Sequence, residues 1–166
     1  MTRPAARRAA LLALLTGLFA ILTAWAFQLI GGFIPCDLCL QERVPYYVSL
    51  PLILIGLILA DRLPLVARLL YVAAALTFLY GAGLAAYHAG AEWGFWMGPN
   101  DCGNKPVIVT DAANLLKAMQ GTRLVSCSEA ALRIFGLSFA GWNVLSCGFI
   151  ALLLGRSTIA DKSAII

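Results

Sequence analysis

The stretch Ala9–Ile30, AALLALLTGLFAILTAWAFQLI, runs for 22 residues without Asp, Glu, Lys or Arg. A helix rises about 1.5 Å per residue, so about 20 apolar residues cross the roughly 30 Å hydrocarbon core of a bilayer. Three further uncharged runs follow, at 44–60, 69–91 and 134–155. In lipid every backbone N–H and C=O needs an internal partner, so each run is expected to be a helix. The 166-residue chain is 61% hydrophobic and 12% charged, too apolar to fold as one small water-soluble globule. The sequence therefore predicts an all-α integral membrane four-helix bundle. It forms a single membrane domain over 1–166, with a long outer loop at 92–133. A competing reading of the first run is a secretory signal, with Arg3, Arg7 and Arg8 before it and Ala24-Trp25-Ala26 at its end. The run exceeds the roughly 7–15 residues of a signal core, which favours a retained helix.

Between the first two runs lies Pro35-Cys36-Asp37-Leu38-Cys39-Leu40-Gln41-Glu42-Arg43. Two thiols three residues apart can close and reopen a small ring, which suits redox turnover better than permanent stapling. Arg43, four residues beyond Cys39, falls on the same helical face. A fixed positive charge there favours a thiolate. The stretch reads as a redox centre at a membrane surface.

Basic residues orient the chain. The N-terminus, the turn at 61–68 and the C-terminal tail together hold seven basic residues, Arg3, Arg7, Arg8, Arg62, Arg68, Arg156 and Lys162, against Asp61 and Asp161. The 92–133 connection holds Lys105, Lys117, Arg123 and Arg133 against Glu92, Asp101, Asp111 and Glu129. Both termini are thus expected in the cytoplasm, with the Cys36 stretch and the long connection on the other side. Trp25, Trp93, Trp96 and Trp142 all fall at the outer ends of their segments, where an interfacial aromatic belt belongs. Within the connection, Thr110 is a candidate cap for a short amphipathic helix over 111–120 that Gly121 would end. Its stripe of Ala112, Leu115, Leu116 and Met119 either lies on the membrane or packs on the bundle. The modest net charge of +4 gives nucleic-acid binding little support. The partner implied by composition is membrane lipid.

Five cysteines in so small a chain suit an oxidising compartment. Cys147 sits mid-span and reads as a small buried hydrophobe. The other four, Cys36, Cys39, Cys102 and Cys127, lie on the outer side and allow three pairings; spacing favours Cys36 with Cys39 and Cys102 with Cys127. A four-cysteine zinc site is the rival, but the second pair is 25 residues apart, whereas such sites use two short-spaced pairs. No metal is expected. Stapling of the loop by Cys102 and Cys127 alone would leave the CxxC pair idle. A transporter is disfavoured because the central parts of the spans carry no Asp, Glu, Lys or Arg.

These features together resemble the DsbB family of bacterial disulfide bond formation proteins. The matching features are Trp25…Phe27-Gln28, the CxxC with Glu42-Arg43, Tyr87-His88, the Cys102 and Cys127 pair, and Gly136-Leu137…Trp142. The resemblance implies a multi-pass protein of the bacterial inner membrane with its active site on the periplasmic side. It implies an oxidoreductase that reoxidises a periplasmic DsbA-like thioredoxin-fold oxidase and passes two electrons to a membrane quinone, ubiquinone or menaquinone. By motif match, the partner's thiolate attacks Cys102, Cys127 attacks Cys36, and Cys39 leaves as a thiolate facing the quinone, stabilised by Arg43. His88 is implied as a hydrogen-bond donor on the quinone side; a lone interfacial histidine is equally often structural. Two other readings stand beside this one. A vitamin K epoxide reductase-like enzyme also combines four helices with two cysteine pairs, but typically carries its CxxC late in the chain. A non-enzymatic membrane scaffold with a stapled loop needs no electron acceptor.

Overall fold

The computed structural model describes residues 3–98, 123–124 and 130–162. Helix α1 spans Arg3–Leu29. A two-residue strand β1 (Phe33–Ile34) and a one-turn helix α2 (Asp37–Gln41) lead into α3 (Val44–Leu59). A short turn then opens α4 (Pro64–Glu92). Beyond it come β2 (Arg123–Leu124), β3 (Arg133–Ile134), β4 (Leu137–Ser138) and the last helix, α5 (Phe139–Lys162). Taking α2 and α3 as one run over Asp37–Leu59, four helical runs are long and apolar enough to cross a membrane. The expected all-α membrane bundle is what the chain forms. The amphipathic helix expected at 111–120 lies outside the described residues.

Two boundaries differ from the uncharged runs for local reasons. The third helix begins at Pro64 rather than at 69, because proline is pre-organised for the first helical turn and lacks only an N–H that would be unpaired there. The fourth begins at Phe139, so residues 134–138 are not helical as expected. They close an antiparallel hairpin of β3 and β4, in which Phe135 and Gly136 take φ of 52° and 82°. Positive φ at both central residues is the two-residue turn that matches strand twist. Ser138 then starts α5 by accepting the Gly141 backbone N–H at 3.2 Å, an N-cap bond.

The helices pack up and down, with α4 against α5 and α3, and α1 against α5. The core between them includes Ala10, Ala13, Ile53, Ala74, Phe78, Ile150 and Leu154. Cys147 is fully buried in this cluster, as a small apolar residue would be. Large aliphatic side chains such as Leu15, Leu22, Leu76 and Leu152 remain exposed around the outside, as a bundle solvated by lipid requires. At one end Arg7 meets Asp61 at 3.4 Å, an exposed pair worth little energetically. Ser157 Oγ donates to Ala6 O at 3.0 Å across α5 and α1 at that same end.

The thiols lie at the opposite end. A tryptophan belt surrounds them, with Trp25 Nε1 donating to Tyr47 Oη, Trp96 Nε1 to Tyr87 O and Trp142 Nε1 to Ile134 O. Gly81 lets α3 and α5 approach α4 here, since a Cβ on it would lie 2.9 Å from Pro45 Cγ and 3.4 Å from Cys147 Sγ. Gly81→Val is expected to cost about 1–3 kcal/mol through overpacking. Thermal unfolding of the purified protein in detergent would show it as a lowered midpoint.

Candidate active site

The CxxC pair is built by one helical turn. Cys36 is extended (φ −72°, ψ 169°) and caps α2, its Sγ accepting the Cys39 N–H at 3.3 Å. The turn brings Cys39 Sγ to 2.8 Å from Cys36 Sγ. Leu38 is buried beneath the turn and Leu84 of α4 packs against it, which fixes α2 to the bundle. Cys36 is 2% exposed, whereas Cys39 is only partly buried. The bond with Cys39 and burial push the reduced Cys36 thiol up to about 12, with the bond to His88 pulling the other way. Reduced Cys36 should therefore remain a thiol at neutral pH. Its alkylation by iodoacetamide should be slow at pH 7 and accelerate only as the medium becomes strongly alkaline, which peptide mass spectrometry would follow.

α4 brings His88 to this pair. Its ring is 1% exposed, with Nε2 3.9 Å from Cys36 Sγ and Nδ1 2.6 Å from Glu42 Oε1. Glu42 sits at the break between α2 and α3 and is 7% exposed. Its second oxygen accepts from Asn143 Nδ2 of α5 at 2.8 Å, and Asn143 Oδ1 accepts from Tyr46 Oη at 2.6 Å. Glu92, one turn beyond His88, places Oε1 3.9 Å from His88 Nε2. Burying a carboxylate and an imidazole is costly unless both are bonded, and this network supplies the bonds.

Arg43 points to the other side of the turn. Nη1 donates to Gln28 Oε1 at 2.6 Å, and the guanidinium lies 5.6 Å from the centroid of the Trp25 ring. The oxygens of the neighbouring Glu42 are engaged by His88 and Asn143. Both sides meet at a cavity of about 340 Å³ between α1, α3, α4 and α5. Phe19, Ala20, Phe27, Phe139 and Ala140 form apolar walls, and Cys39, Arg43, His88, Glu92 and Asn143 line it too.

Of the six site residues read from sequence, the structure thus gathers four, Cys36, Cys39, Arg43 and His88, at one place. Cys102 and Cys127 lie outside the described residues. The strand that precedes the CxxC nevertheless pairs with the chain before Cys127: β1 and β2 run parallel, with Ile34 opposite Leu124. Among the described residues, Cys36, Cys39 and His88 are the group whose donor atoms, all within 4.8 Å, have the composition of a metal site. The sulfurs at 2.8 Å are closer than the roughly 3.7 Å that two thiolates subtend at a tetrahedral zinc, so the pair is set for a disulfide.

A family model described as disulfide bond formation protein DsbB matches residues 6–156. The chain belongs to the DsbB family. A disulfide bond formation protein B of Herminiimonas arsenicoxydans is 31% identical over 155 residues, covering 90% of this chain and 92% of that protein. An uncharacterized protein of Rickettsia prowazekii is 24% identical over 148 residues, 88% of this chain and 84% of its own length. As a DsbB-family member it is a disulfide-forming membrane protein. Sequence reasoning passed over Glu42 as a site residue, together with Asn143, Tyr46 and Glu92. The signal for Asn143 was present: a polar amide within an apolar span is costly unless it is used.

Proposed function

We propose that this DsbB-family protein reoxidises a soluble DsbA-like thiol oxidase at the outer face of the inner membrane and delivers the electrons to a membrane quinone. The observation that carries the reading is the convergence of Cys39, Arg43 and His88 on one apolar cavity at the bundle's end. Phenylalanine walls suit a flat ring, and the Arg43 cation on the lining suits a carbonyl oxygen that gains charge. A quinone bound there would supply a two-electron, two-proton acceptor. Cys39, Arg43 and His88 are the residues that would meet its ring, and the walls of α1 and α5 would exclude water from it.

The relay balances as two thiol–disulfide exchanges. The partner's thiolate attacks Cys102, opening the Cys102–Cys127 bond, and the partner's second thiol then displaces Cys102, so that the partner leaves oxidised. Cys127 then attacks Cys36, and Cys39 departs as a thiolate. Cys102 attacks Cys127 in the Cys36–Cys127 mixed disulfide, which restores the Cys102–Cys127 bond and frees Cys36, and reclosure of Cys36 with Cys39 then gives two electrons and two protons to the acceptor. The β1–β2 pairing supports the second exchange, because Cys36 follows Ile34 by two residues and Cys127 follows Leu124 by three. A three-residue chain is at most about 11 Å long. Arg43, held by Gln28 and Trp25, supplies fixed positive charge on the Cys39 side of the cavity.

Narrowing the cavity tests this reading. Ala20→Leu adds three carbons to the α1 wall and is expected to raise the apparent quinone KM about tenfold, the equivalent of about 1.4 kcal/mol. Exchange between Cys102–Cys127 and the soluble partner should keep its rate. Quinone titration alongside a single-turnover exchange assay separates the two, and an unchanged KM would place the acceptor elsewhere. For topology, thiol-labelling of single cysteines placed in 92–133 should succeed from the outer side alone. Labelling from the cytoplasmic side would reverse the orientation.

A further inference from the structure

The network behind Cys36 has an order of donors and acceptors that assigns the histidine's tautomer. Asn143 Oδ1 is occupied as an acceptor, by Tyr46 Oη at 2.6 Å and by Cys147 Sγ at 3.5 Å. The amide nitrogen therefore faces Glu42, and Oε2 accepts from it at 2.8 Å. The other carboxylate oxygen lies 2.6 Å from His88 Nδ1, which must then carry the hydrogen. In the neutral imidazole this leaves the lone pair on Nε2, the atom 3.9 Å from Cys36 Sγ. A thiol, an imidazole turned toward it and a carboxylate behind the imidazole form the arrangement by which a nucleophile is given a base.

We propose that Glu42 is a positioning residue that fixes His88 with Nε2 open to Cys36, so that His88 takes and returns the Cys36 proton as the CxxC pair closes and opens. The proposal builds on the exchange reading above and does not depend on the nature of the electron acceptor. Closing the pair converts two thiols into one disulfide and releases two electrons to an oxidant and two protons. Cys39 gives up its proton and bonds through Sγ to the oxidant; the Cys36 proton moves to His88 Nε2, the resulting thiolate attacks Cys39 Sγ, and the sulfur–oxidant bond breaks with its electron pair, so that the reduced oxidant leaves with both protons. Opening runs the same proton transfer in reverse. Need for a base follows from the thiol's setting: burial and the Cys39 bond keep Cys36 protonated at neutral pH. A glutamine at position 42 cannot serve. Turning its amide nitrogen to His88 would force the hydrogen onto Nε2, and turning it to Asn143 would oppose two donors.

The groups facing His88 are Cys36 and Cys39 of the α2 turn, Glu42, and Glu92 on α4, with Arg133 of β3 acting on Glu92. The test uses full-length protein in detergent carrying Cys102→Ser and Cys127→Ser, so that only the CxxC pair turns over. The reduced pair is reoxidised by diamide, whose N=N bond accepts both electrons and both protons, and separately by a soluble benzoquinone. Rates are followed by alkylation and mass spectrometry from about pH 5 to about pH 10, a range wide enough for an imidazole held against a carboxylate to change charge. With diamide, Glu42→Gln is expected to slow closure between about tenfold and hundredfold and to flatten its pH dependence, as is His88→Gln. Glu42→Asp should recover part of both. A purely structural role would lower yield or melting temperature and leave the pH profile of the folded fraction intact. Wild-type rate and profile in folded Glu42→Gln overturn the proposal. Should that variant not fold, Asn143→Ser, which keeps the carboxylate and imidazole but frees Oε2, is expected to give an intermediate profile; a wild-type profile there overturns it equally. Glu42-dependent closure by diamide with no closure by benzoquinone in the parent protein would defeat the quinone reading and leave this one standing.

Discussion

Cys39→Ser is expected to abolish turnover with every electron donor, whereas Cys102→Ser or Cys127→Ser is expected to abolish it only with the soluble protein partner. The contrast follows from where each thiol stands. Cys36 and Cys39 are 2.8 Å apart on a turn fixed by Leu38, and Cys39 lines the cavity proposed for the acceptor. Without Cys39 no disulfide closes at that cavity and no electrons leave. Without Cys102 or Cys127, the CxxC pair keeps its geometry, since its contacts come from α2, α3, α4 and α5. A small dithiol such as dithiothreitol should then still drive quinone reduction through Cys36 and Cys39. Steady-state assays with protein and small-molecule donors give the comparison directly. Full activity of Cys102→Ser with the protein partner would reduce the loop pair to a staple.

The second large effect is expected at Arg43. Its guanidinium is clamped by Gln28 and Trp25 rather than free to follow lipid headgroups. It shares the cavity with Cys39. A fixed charge beside a developing anion is worth about a hundredfold or more in rate when removed. Arg43→Ala is accordingly expected to lower kcat/KM for quinone by about two orders of magnitude and to raise the apparent quinone KM. Arg43→Lys should recover part of the loss, since it keeps charge but not the planar fork that meets Gln28 and the indole together. Gln28→Ala should have a smaller effect of the same kind. Single-turnover exchange at Cys102–Cys127 should stay near wild type in all three. Wild-type quinone kinetics in Arg43→Ala would leave the residue as a membrane anchor.

The bundle was legible because lipid makes composition decisive: an uncharged run of about 20 residues has few alternatives to a spanning helix. Helix ends were less legible, because they depend on local chemistry that hydropathy ignores. Phe135 and Gly136 belong to an apolar run, yet their positive φ and the Ser138 cap place the helix start at Phe139. The CxxC with Arg43 could be read from spacing alone. The partnership of His88 with Glu42 could not. The two residues lie 46 positions apart, and their 2.6 Å contact exists only because α4 packs against the α2–α3 break. Glu42 and Arg43 are adjacent in sequence yet part in the fold: the carboxylate meets an imidazole and an amide, and the arginine a glutamine and an indole.

Coupling of soluble-dithiol oxidation to membrane-quinone reduction, as proposed for this DsbB-family protein, can be read in a single assay. Purified protein is mixed with a reduced DsbA-like partner and ubiquinone or menaquinone, and partner thiols and quinone absorbance are followed together. The expected result is catalytic loss of two thiols for each quinone reduced, at protein concentrations far below either reactant. Thiol loss without quinone reduction, or no loss beyond one equivalent of protein, would contradict it.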